Sequence, residues 1–133
     1  FAGFALPSAF DAGSVTAAQS VHNPREFSPE ALQEARASGQ PVFVWFTADW
    51  CITCKVNEGV AIEREEVRAA FEAAGVVTMR GDWTVRDEAI TRFLTEQGAA
   101  GVPLYLWYVP NKEPEQLPQV LTPGMLVERA EAL

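Results

Sequence analysis

Cys51 and Cys54 are the chain's two cysteines, with Ile52 and Thr53 between them. Two thiols at this spacing can close a reversible disulfide. Around them stand Trp50 directly before the first sulfur, Asp49 before that, Lys55 after the second, and Glu58 one helical turn further on. At the start of a helix, the free backbone N–H groups and the helix dipole stabilise a thiolate at Cys51. That thiolate can attack a partner disulfide, and Cys54 can then resolve the mixed disulfide. A structural zinc site needs four ligands, and His22 is the only further Cys or His. Covalent haem attachment needs histidine directly after the second cysteine, where Lys55 stands. So short a loop contributes comparatively little as a structural cross-link. Redox exchange is the leading reading; Cu(I) held by the two thiolates and a structural disulfide remain as alternatives.

The elements around the pair must place it at an exposed helix start. Residues Pro41 to Thr47 form a β-branched and aromatic run too continuous for a half-exposed strand, and predict a central strand buried on both faces. This strand leads directly into Ala48-Asp49-Trp50-Cys51, which puts the cysteines at a strand-to-helix junction. Upstream, Ser28-Pro29 supplies an N-cap and a first-turn proline for a helix that ends at Gly39. Downstream, helical periodicity from about residue 52 breaks near Gly59 and resumes through Val67 and Phe71 to Gly75. Strands are predicted at 76–79, 102–109 and around 119–121, with helices over 86–97 and from Thr122-Pro123 onward. The expected architecture is a three-layer α/β/α sandwich around a central mixed sheet.

The length of 133 residues fits one domain. Residues 27–133 form that domain, preceded by an N-terminal arm or linker over 1–26 that holds His22. Phe1 to Leu6 are apolar but stop at Pro7, short of the roughly 20 residues of a membrane span. With no basic leader and no initiator Met, the chain reads as a piece of something longer. Its apolar start is then either the stump of a membrane segment or a packed arm. The net charge of −8, from 18 acidic and 10 basic residues, argues against nucleic acid as a partner. Glu63, Glu65, Glu66 and Glu72 read as a solvated helix face.

Over residues 27–133 the chain resembles the thioredoxin superfamily, and more narrowly the C-terminal periplasmic domain of the DsbD family with its ScsB-type relatives. The resemblance rests on Pro41-Val42-Phe43-Val44, on Ala48-Asp49-Trp50-Cys51-Ile52-Thr53-Cys54-Lys55, on Glu58, and on Gly101-Val102-Pro103-Leu104-Tyr105. It implies a cis Val102–Pro103 bond beside the cysteines, with the backbone before the proline pairing with substrate as an added strand. Trp50 would flank the cysteines, Glu58 would tune or deprotonate the thiols, and Asp49 would be a lesser tuning or docking residue. The resemblance further implies a periplasmic protein-disulfide reductase. Electrons would pass from a membrane-embedded redox domain to an N-terminal periplasmic domain or other periplasmic thiol proteins. No organic cofactor and no metal are expected, since the two sulfurs carry the electrons. A free-standing reductase or oxidase is the alternative. One position departs from the pattern: Trp45 stands where many members carry a buried Asp in the strand before the cysteines. Proton handling is therefore expected to rest on Glu58.

Overall fold

The computed structural model describes residues 19–133. The apolar start, and with it the expected membrane stump or packed arm, lies outside the described residues.

Five strands form one mixed sheet in the order β1-β3-β2-β4-β5. Strand β2 (Val42–Thr47) is its centre, and all six residues are buried. It runs parallel to β3 (Val77–Asp82) and antiparallel to β4 (Leu104–Tyr108). Two-residue strands close the edges, β1 (Arg25–Glu26) parallel to β3 and β5 (Glu115–Gln116) antiparallel to β4. The helices are α1 (Pro29–Ala37), α2 (Ile52–Asn57), α3 (Glu65–Ala74), α4 (Glu88–Glu96) and α5 (Pro123–Glu131). None of those described is long and apolar enough to cross a membrane.

Alternation along the two central strands divides the core. Val42, Val44, Phe46, Leu104, Leu106 and Tyr108 pack to one side with residues of α1 and α4, such as Leu32, Phe93 and Leu94. Phe43, Trp45, Tyr105 and Trp107 pack to the other with Phe71 of α3 and Leu126 of α5. The three-layer α/β sandwich is thus the observed arrangement. Ser28 caps α1 and Thr122 caps α5, each accepting a backbone N–H and each followed by proline, as the sequence implies.

Four features differ from expectation, the first being that β3 runs on to Asp82 where the sequence predicts a strand over 76–79, because it pairs with β2 along its whole length. The break near Gly59 is a single widened turn over Glu58–Ile62, in which Glu63 N–H reaches back five residues to Glu58 O at 2.8 Å. The last strand is at Glu115–Gln116, not 119–121; residues 119–121 are irregular and their polar groups bond elsewhere. Residues before 27 also carry structure. Besides β1, Ser20 Oγ and Val21 N–H donate to the Glu63 carboxylate. His22 lies against Trp45 and Phe71, its Nε2–H donating to Ile62 O at 2.7 Å. Burial holds the His22 pKa below its ordinary 6.5, against the pull of Ile62 O and Glu63.

Candidate active site

The buried strand β2 ends at Thr47, and the chain turns once before α2 begins. Cys51 caps that helix: its Sγ accepts the Cys54 N–H at 3.2 Å. Cys51 and Cys54 form a disulfide, with Cα atoms 5.3 Å apart. Cys54 is fully buried, whereas Cys51 lies at the surface edge of the same small cluster. Ala48, both cysteines and Val102 make up that cluster. The Val102–Pro103 peptide is cis. The fold therefore brings the cysteine pair together with a Val-Pro segment some fifty residues further along the sequence.

Ile52 is exposed, as is Thr53. Trp50 is about half exposed, 47%, and is held from one side. Its Nε1–H donates to Thr84 O at 3.0 Å, and its ring centroid lies 5.8 Å from that of Trp83. The Arg86 guanidinium sits over both indoles, 4.5 Å from the Trp50 centroid and 5.5 Å from the Trp83 centroid. Arg86 adopts φ +52, a left-handed conformation unusual for a residue with a side chain.

Glu58, the first residue of the widened turn that follows α2, is buried, 3% exposed. One carboxylate oxygen meets Lys55 Nζ at 3.2 Å; the other is buried with no hydrogen-bond partner among the described residues. Lys55 Nζ is also 4.0 Å from Asp49 Oδ1. Asp49 itself is exposed, and its N–H donates to Thr84 Oγ1. Asp82 completes the acidic surround. Burial pushes its carboxyl up, but hydrogen bonds from Thr84 together with Arg80 and Lys55 hold it below the usual range. Trp45 is fully buried in the aromatic layer, stacked on Phe43 and edge-on to His22, where it has no proton to exchange at neutral pH.

Sequence reasoning missed Asn57, Gln119, Thr84 and Arg86. Asn57 is the last residue of α2 and is buried. Its Nδ2 donates to the Tyr105 hydroxyl at 3.0 Å and to Gln119 O at 2.7 Å, while Oδ1 accepts Leu121 N–H at 3.2 Å. Burial pushes the Tyr105 hydroxyl well above the usual phenol range. An Asn within a helix signals nothing by itself; its partners lie 48 to 64 positions on. Thr84 does stand two residues after Asp82 in a polar turn, a signal that could have been read.

A sheet of this order, with a cysteine pair capping the helix after its central strand and a cis-proline beside it, defines a thiol–disulfide oxidoreductase of thioredoxin fold. A profile described as thioredoxin-like matches residues 23–110, and the chain belongs to that family. Among curated proteins it is similar to the thiol:disulfide interchange proteins DsbD. It is 34% identical over 103 residues to the one from Pseudomonas fluorescens, covering 75% of this chain and 17% of that protein. With DsbD 2 of Pseudomonas aeruginosa it shares 32% over 93 residues, covering 70% and 15%. The chain thus spans less than a fifth of the length of these relatives. Among solved structures, the C-terminal domain of Neisseria meningitidis DsbD in its oxidised form superposes with a TM-score of 0.64 at 23% identity. That match covers 80% of this chain and 97% of the other. A thioredoxin from Thermus thermophilus gives 0.62 at 21% identity, covering 82% and 85%.

Proposed function

We propose that this domain is a periplasmic protein-disulfide reductase that relays reducing equivalents. It would accept electrons from a membrane-embedded redox domain and pass them to periplasmic thiol partners, the N-terminal domain of the same protein among them. The observation that carries the reading is the Cys51–Cys54 pair at the start of α2, packed against Val102 beside the cis-proline. The similarity to the thiol:disulfide interchange proteins DsbD supports the exchange chemistry.

In the reduced domain, the Cys51 thiolate attacks one sulfur of a partner disulfide, and the partner's other sulfur leaves and takes up a proton. Cys54 then gives its proton to Glu58 and attacks Cys51 Sγ. The bond from Cys51 to the partner breaks, the partner sulfur that Cys51 first attacked leaves as a thiolate, and two electrons have passed from this dithiol to that disulfide. Glu58 suits the acceptor role because it is a buried carboxylate with one oxygen unpaired, on the turn after Cys54. The backbone of Val102 receives the partner chain as an added strand. Trp50, Ile52 and Thr53 form the surface it meets, and Asp49 sits at the rim. The two sulfurs carry the electrons, so no organic cofactor or metal takes part.

Equilibration of the domain with a dithiothreitol or glutathione couple tests this reading. A reductant is expected in the range of thioredoxin and glutaredoxins, about −270 to −200 mV. A value near that of a dedicated oxidant, about −120 mV, would overturn it.

A further inference from the structure

Strand β5 pairs with β4 for only two residues, yet its bonding pattern continues beyond them. Leu117 N–H donates to Tyr105 O at 2.9 Å. Two residues further, the next carbonyl in step on the β4 side is Pro103 O, and the side chain of Gln119 reaches it, Nε2–H to O at 2.9 Å. Gln119 is held in turn by Asn57, which takes Gln119 O on its amide nitrogen and Leu121 N–H on its amide oxygen. Both amide groups thus act as substitute rungs of a ladder. Together they form one continuous path from the end of the cysteine helix, through the segment before α5, to the carbonyl of the cis-proline.

Pro103 has no N–H, and pairing between β4 and β2 begins only at Leu104 opposite Phe46. Pro103 O is therefore where a side chain can anchor the segment that carries Val102. A strand added at Val102 needs that backbone already in position, because ordering it during the encounter would cost affinity and rate. From this geometry we infer that Asn57 and Gln119 are positioning residues. They hold the Val102–Pro103 segment ready for an extended polypeptide and play no part in exchange with disulfides that lack a peptide backbone. The inference rests on the redox reading above.

The test compares two substrates of the reduced domain, by initial rates of disulfide reduction. One is a synthetic peptide with a single intramolecular disulfide; the other is hydroxyethyl disulfide, which has no backbone to pair. Gln119→Ala alters a side chain at the surface, so folding is retained. Losing one hydrogen bond to the anchor is expected to lower kcat/KM for the peptide about three- to tenfold, with hydroxyethyl disulfide unchanged. Gln119→Glu, nearly isosteric but unable as a carboxylate to donate to Pro103 O, is expected to match Gln119→Ala. An unchanged peptide rate, an equal loss on both substrates, or full peptide activity in Gln119→Glu would each overturn the inference. A wild-type domain that reduces neither substrate would instead overturn the redox reading beneath it.

Discussion

Lys55 and Glu58 follow Cys54 directly and one turn on and pair at 3.2 Å, and their effects on a nearby thiolate oppose one another. A buried carboxylate raises the pKa of a neighbouring thiol by like-charge repulsion, and an ammonium lowers it. Glu58→Gln is therefore expected to speed alkylation of the reduced domain several-fold at neutral pH, and Lys55→Met to slow it. Iodoacetamide rates measured against pH would register both, and an unchanged profile in Glu58→Gln would remove Glu58 from the proton path. His22 has a different pH signature. Its pKa in the fold is depressed, so the unfolded chain takes up the proton first. Its contribution to stability is complete above the ordinary 6.5 and drains away as pH falls below that value. Glu63 and Arg68 are the charged groups that face the ring, with opposite effects on it. Melting temperature should thus decline between about pH 7 and about pH 5 in the wild type, with a shallower decline in His22→Phe.

At the scale of elements, Gly81 shows how tightly the sheet is fitted. It lies in β3 opposite Phe46, and a Cβ there would come 2.5 Å from the buried Phe46 ring. Phe46 packs between Phe27 and Phe93 and has little room to yield. Gly81→Ala should destabilise the domain by about 1–3 kcal/mol in urea unfolding. The sequence reading ends this strand at Met79, where the apolar run stops; pairing with β2 carries it on through Arg80-Gly81-Asp82. The same limit explains the other gaps. Strand β2 and the helix starts at Ser28 and Thr122 were legible, since long apolar runs and cap–proline pairs act locally. The cysteine motif and the Val-Pro segment were legible as a pattern. Strands of two residues carry no periodicity, so β1 went unseen and β5 was misplaced. Sequence reading places His22 in an arm and misses Asn57, because their partners lie 40 or more positions away. Glu58 was legible as a candidate, but its burial and its contact with Lys55 were not.

At the scale of the molecule, the central sheet leaves two apolar layers that share strands but not side chains. The layer against α1 and α4 contains Ile90, and the layer against α3 and α5 contains Ile62. Shortening either to valine should cost about 0.5–1.5 kcal/mol. Because the two sites share no neighbours, the double variant should show the sum within about 0.5 kcal/mol in equilibrium unfolding. Coupling well beyond that would mean strain crosses the strands. Independence of this kind also has a consequence for descent. Substitutions behind the sheet at positions such as Ile90 do not have to be matched by compensating changes among the residues in front of it. Trp83 and Val102 are the exceptions, since they belong to the rear layer yet reach Trp50 and the cysteines, so that layer can diverge between lineages only around them.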